Sequence, residues 1–154
     1  MPLALSALMF GALLSTSAMA CPDLRGFYRC VYSGDSGQES EIIIEYRQDV
    51  RGGTTHYSES GNELVADNRE RALEELPNFR RPTLRAWCDQ DVLRSEYKGQ
   101  VFLDGSYYGD LSLTMSLTLD QDRHLVRRSR SVFQDQDGIT TNDAEIHCPR
   151  VLYQ

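Results

Sequence analysis

The residues most able to do chemistry in this chain share one stretch, residues 123–133, where four arginines interrupt an apolar pattern that otherwise reads as a β-strand. Successive side chains of a strand point to opposite faces. If Leu125 and Phe133 face inward, Arg127 goes in with them; if Val126 and Val132 do, Arg128 and Arg130 are enclosed instead. Either register puts a guanidinium inside a closed barrel, where it needs a carboxylate, an aromatic face or the anionic end of a ligand. Arg127 and Arg128 are therefore candidate ligand-binding residues. The competing expectation, and the favoured one, is that the strand borders an open sheet and leaves every arginine in water.

Other groups suggest catalysis or metal binding less well. Gly34-Asp35-Ser36-Gly37 resembles the nucleophile motif of chymotrypsin-like serine proteases, but Ser36 precedes every histidine, Gln38 replaces the next glycine, and no base stands at a recognisable spacing. A hairpin turn explains the same glycines. His56, His124 and His147 fall in three separate segments, so their spacing defines no zinc site, and no Cys-x-x-Cys pair occurs. In the acidic loop around Asp135 and Asp137, an EF-hand alignment on Gly138 puts Phe133 and Ala144 where carboxylates should stand, which leaves a solvated turn. The sequence thus presents no catalytic constellation and implies no metal and no cofactor.

The elements that must position these groups are mostly strands. Residues 111–119 alternate apolar and hydroxyl side chains without a miss, the pattern of a half-buried strand with its leucine and methionine face inward. Residues 26–32, 41–47, 84–88, 92–98, 123–133 and 144–148 are weaker versions, and 56–58 and 63–66 add two short ones. Turn residues separate them at 33–37, 89–91, 120–122 and 137–138. One short helix is expected near 68–76, capped by Asp67 with Glu70 as its partner and stopped by Pro77. Eight or nine antiparallel strands with one helix describe an all-β domain, either a single barrel or a two-sheet sandwich.

Residues 1–20 read as a cleavable signal peptide: they are uncharged, apolar from Leu3 to Leu14, and end on Ala18-Met19-Ala20. The apolar run is shorter than the roughly 20 residues a membrane helix needs, so no transmembrane segment is expected. Cys21 would open a mature domain over 21–154 in the periplasm or outside the cell. Lipidation of Cys21 is the less favoured alternative, because Ala18 stands where a large aliphatic residue belongs and because Cys21, Cys30, Cys88 and Cys148 form an even set. Four cysteines allow three pairings. Strand-direction counting in an up-and-down barrel favours Cys21 with Cys148 and Cys30 with Cys88. The formal net charge of −7, with Lys98 the only lysine, makes nucleic acid a poor partner.

Cys21-Pro22-Asp23-Leu24-Arg25-Gly26-Phe27-Tyr28-Arg29-Cys30 resembles the mature start of small bacterial exported β-barrel proteins that open Cys-Pro-x-Leu-x-Gly-x-Tyr-x-Cys. Gly26-Phe27-Tyr28 also loosely resembles the Gly-x-Trp element of lipocalins, with tyrosine for tryptophan. That resemblance implies a barrel with an interior ligand, Tyr28 in the aromatic place and Arg127 or Arg128 as the late arginine that packs over it. A thinner resemblance, to periplasmic lysozyme inhibitors, rests on Tyr28-Arg29-Cys30 and on Ser60-Gly61, but Leu64 and Val65 stand where that family's loop tyrosine belongs. The leading expectation is a non-enzymatic exported protein holding a small apolar or amphipathic ligand in its interior. The alternative is a protein-interaction module or inhibitor, with a protein partner bound through loops. A filled core favours the alternative and an apolar cavity of about 300 Å³ or more favours the first.

Overall fold

The computed structural model describes residues 21–33 and 37–152. Eleven strands follow in order: β1 (Gly26–Ser33), β2 (Glu39–Arg51), β3 (Thr54–Glu59), β4 (Asn62–Val65), β5 (Arg71–Ala72), β6 (Phe79–Asp89), β7 (Val92–Leu103), β8 (Ser106–Leu119), β9 (Leu125–Gln134), β10 (Ile139–Cys148) and β11 (Arg150–Val151). They form two antiparallel sheets, β11-β1-β2-β3-β4 and β10-β9-β8-β7-β6-β5. The all-β expectation holds, with more strands than the eight or nine expected. The ladders do not close into a barrel, and the two sheets are consistent with a sandwich.

Short connections explain the meander. The β2–β3 turn is Gly52-Gly53 and the β3–β4 turn is Ser60-Gly61, all four residues at positive φ, as the tight hairpins that match strand twist require. Asp135 closes the β9–β10 turn by accepting the amides of Asp137 and Gly138. The Ser36 motif lies outside the described residues.

The expected helix is absent. Asp67 accepts the Arg69 amide at 3.0 Å and the Arg71 guanidinium at 2.6 Å, so its carboxylate is spent on side-chain pairing that holds it at about pKa 2, mainly through Arg71. Asn68 at φ 61 turns the chain left-handed one residue later and donates its amide to the Ala86 carbonyl at 2.8 Å. Arg71 and Ala72 then pair with Leu84 and Thr83 of β6. Backbone bonds to a neighbouring strand have overridden a weak local helix signal.

The disulfides are Cys21–Cys88 and Cys30–Cys148, which corrects the favoured pairing. The reason is β11. Phe27 and Tyr28 lie opposite Val151 and Arg150, and the Arg29 amide donates to the Pro149 carbonyl at 2.9 Å. The last residues, rather than Cys148, thus occupy the place beside the start of β1, and continuing the register sets Cys148 against Cys30. The bridges span 67 and 118 residues, and loops that long make each worth about 4–5 kcal/mol in a chain-entropy account.

The core lies between the sheets. Tyr28, Tyr46, Tyr57, Leu24, Leu93, Leu117 and Leu125 are fully buried there, with Met115, Leu119 and Ile146 packed against them. Each buried tyrosine keeps its hydroxyl bonded: Tyr57 donates to the Pro22 carbonyl at 2.7 Å, Tyr28 to the Leu24 carbonyl at 3.0 Å, and Tyr46 meets Arg127. Two of those bonds hold the segment before β1 beneath the core, as Cys21–Cys88 also does.

The inward face of β8 is the leucine and methionine face, although only Leu117 is fully buried; Met115 and Leu119 pack half-buried against the core, and Leu111 and Leu113, also half-buried, stand outside that cluster. Leu117→Ala should therefore cost about 2–5 kcal/mol in denaturant unfolding. Leu113→Ala should cost less, and Ser116→Ala on the other face should stay within about 0.5 kcal/mol. Equal losses at positions 116 and 117 would contradict this assignment of faces.

Candidate functional site

The arginine-rich strand is β9, and it lies between β8 and β10 rather than at an edge. The expectation that every arginine is left in water is therefore corrected for one of them. Arg127 faces inward, its Nη1 2.6 Å from Glu59 of β3 and 3.4 Å from the Tyr46 hydroxyl, with Nη2 3.4 Å from Met115 Sδ. Burial disfavours its charge, but Tyr46 and Glu59 outweigh that penalty and hold the guanidinium above its ordinary value. Burial in turn pushes the Tyr46 phenol well up, so it stays protonated. The enclosed guanidinium has thus found its carboxylate within the chain, on the opposite sheet.

Arg128 points the other way and donates from Nε to Glu145 of β10 at 2.5 Å. Tyr28 lies in the core, edge-on to Tyr46 with ring centroids 6.0 Å apart. The three candidate ligand-binding residues therefore do not form one site: Arg127 and Tyr28 each meet Tyr46 inside, and Arg128 is outside. The histidines are also apart, each beside a carboxylate: His56 with Glu63, His124 with Asp120, and His147 with Glu145. Asp120, Asp122 and His124 share the β8–β9 turn, where Asp120 Oδ1 accepts the amides of Asp122 and His124.

A broad depression lies on the outer face of the six-stranded sheet. Ser112, Thr114, Ser116 and Thr118 of β8 face away from the core residues Met115 and Leu117, so over Ser112–Thr118 this strand presents only short hydroxyl side chains outward, with the carboxylate of Asp110 next along the same face. Its neighbours present long ones. Arg94 of β7 and Arg128 of β9 flank Ser116, and Glu96 and Arg130 flank Thr114; next along are Lys98 and Val132 beside Ser112. A low strand between two high ones makes a trough. An open depression of about 580 Å³ lies around Thr114, Ser116, Arg94, Arg128 and Arg130, with Trp87 at one side and Asp143 and Glu145 at the other. A second space of about 330 Å³ continues along the same strand past Ser112, Lys98 and Asp110 to Gln134.

The trough has a defined electrostatic build. Arg94 is held through Nε by Asp89 at 3.0 Å, Arg128 through Nε by Glu145, and Arg130 through Nε by Asp143 at 3.7 Å. Anchoring at Nε orients a guanidinium while its terminal amino groups remain directed elsewhere. Glu145 is held below the usual carboxylate range, first by His147 and then by Arg128. Arg85 sits over the Trp87 ring at 4.9 Å and pairs with Glu96. The Thr114 hydroxyl donates to the Arg130 carbonyl at 3.4 Å, which keeps it down on the sheet.

Comparison with known protein families, with curated proteins and with solved structures gives no match for this chain. Sequence reasoning placed the hydroxyl face of β8 toward water but missed the trough. The signal was present in the alternation of small and large residues along residues 111–119. Its meaning depended on which strands pair with β8.

Glu59→Gln removes the counter-charge of Arg127 but leaves a neutral acceptor. The pair is largely rather than wholly buried, with side chains 17% and 21% exposed, so the loss should be about 1–3 kcal/mol. Adding Arg127→Met should recover much of it, because no uncompensated charge remains. Unchanged stability in Glu59→Gln, read by thermal and denaturant unfolding, would show that the guanidinium is solvated.

Proposed function

We propose that this chain is an exported, non-enzymatic binding module that recognises its target on the outer face of the six-stranded sheet. The observation that carries this reading is the trough along β8, where a row of hydroxyl residues runs between Arg94, Glu96 and Lys98 on one side and Arg128 and Arg130 on the other. An interior ligand site has less support. The space between the sheets is taken by Tyr28, Tyr46, Tyr57, Leu93 and Leu117, and the one inward guanidinium on β9 is already paired with Glu59. A filled core and a structured outer face are the features of a module that binds by its surface.

Export is part of the same proposal. The signal-like residues 1–20 motivate it, and two disulfides closing a mostly β domain are consistent with an oxidising compartment. Among the described residues no helix is long and apolar enough to cross a membrane. The periplasmic or secreted setting would bring the module to a target in the same compartment.

A photo-crosslinking side chain introduced at Ser116, and separately at the exposed Arg47 on the other sheet, tests the reading in the exporting host. The expected result is a discrete adduct from position 116 and none from position 47. Equal labelling at both, or none at either, would overturn it.

A further inference from the structure

We infer that two copies of this chain join edge to edge through β10, continuing the six-stranded sheet across a two-fold axis. The inference concerns the edge of the sheet and stands apart from the outer-face reading above.

A sheet edge exposes amides and carbonyls that can pair with another strand, and folded chains commonly shorten or cover their edges. Three of the four edges here are treated in that way. β4 has four residues, and β5 and β11 have two each. Beyond β5, the preceding segment covers β6: the Asn68 amide donates to the Ala86 carbonyl at 2.8 Å, the Leu73 amide to the Pro82 carbonyl at 2.8 Å, and Leu76 and Phe79 bond each other. β10 differs. It has ten residues, pairs with β9 alone among the described residues, keeps one register throughout, and contains neither proline nor lysine. Every residue from Ile139 to Glu145 is exposed, and β1 meets the strand at its Cys148 end.

The free backbone groups have a definite phase. The Asp135 amide donates to the Gly138 carbonyl at 3.0 Å, and antiparallel alternation then makes Phe133–Thr140, Ser131–Asn142 and Ser129–Ala144 the bonded pairs. Ile139, Thr141, Asp143 and Glu145 therefore turn their amides and carbonyls away from β9. They can bond the same four residues of a second copy when Asn142 sits on the axis, with Thr141 opposite the other copy's Asp143 and Ile139 opposite its Glu145.

Charge selects that register. Like charges directly opposite one another destabilise a strand pair. Centring on Asp143 sets it against itself, centring on Ala144 sets Asp143 against Glu145, and centring on Thr141 sets Glu145 against Asp137. Centring on Asn142 makes none of these pairs and brings Asp137 of each copy opposite His147 of the other. Asp143 and Glu145 are already compensated within their own chain by Arg130 and Arg128. The two Asn142 amides, each a donor and an acceptor, face one another on the inner side. A strand whose charges and hydrogen-bonding groups fit an inverted copy of itself favours a second copy as its occupant. The outer faces then share one side of the joint sheet, with the two β8 strands roughly 24 Å apart at about 4.8 Å per strand.

Sedimentation equilibrium of the exported, oxidised protein over a range of concentrations tests the association, and a reversible dimer is expected. Thr141→Pro removes an amide that β9 does not use, so far-ultraviolet circular dichroism should stay unchanged while dimerisation weakens by roughly tenfold or more. Thr141→Lys, opposite Asp143, should strengthen it several-fold and keeps the test decisive if the proline variant misfolds. Asn142→Cys should give a covalent dimer on mild oxidation, because the two copies of residue 142 stand about 4.5 Å apart at Cα, whereas Thr140→Cys should not. A monomer at every concentration, a dimer indifferent to both Thr141 variants, or cross-linking at position 140 without cross-linking at 142 would overturn the inference.

Discussion

The two-residue alternation of β8 governs both faces of the six-stranded sheet. Met115, Leu117 and Leu119 project into the space between the sheets and take part in the core. The hydroxyl residues between them project outward and are too short to fill the space between the side chains of β7 and β9. Stability and surface shape therefore come from one strand. A shift of the β7–β8 or β8–β9 register by a single residue would move leucines into water and serines into the core, so one register fixes both faces together.

The interior is built from tyrosines as well as aliphatic residues, and this explains how a guanidinium can be enclosed. A purely aliphatic core would leave Arg127 to meet its hydrogen-bonding needs alone. Here the Tyr46 hydroxyl and Glu59 from the opposite sheet supply partners, while Tyr57 and Tyr28 place their hydroxyls on carbonyls of the segment before β1. The sheets are also joined covalently at Cys30–Cys148, where β10 comes up against β1. A core that uses its polar atoms on itself has few left over for a ligand.

Local patterns in the sequence were legible where local rules decide the outcome. The strand at residues 111–119 and the turns at 89–91 and 120–122 follow from periodicity and turn chemistry. The helix near 68–76 was misread because Asp67 and Glu70 supply a capping pattern, whereas Asn68 turns left-handed and Arg71 pairs with a strand distant in sequence. The disulfide pairing was misread because two residues after Pro149 form β11 and displace Cys148 along β1. Arg127 was one of two alternatives; its partner Glu59 is 68 residues away, beyond the reach of any spacing rule. The trough needed the strand order and the register together, since a row of serines and threonines becomes a floor only when arginines stand on both sides.

The central claim is that recognition happens on the outer face and that the interior holds only the protein's own side chains. Native mass spectrometry of the protein purified from its own host tests this most directly, since a molecule held between the sheets would travel with the chain. The account predicts masses of the mature chain alone, in one copy or two, beginning at Cys21 with both disulfides intact. A retained small apolar or amphipathic companion, released only on unfolding, would contradict it.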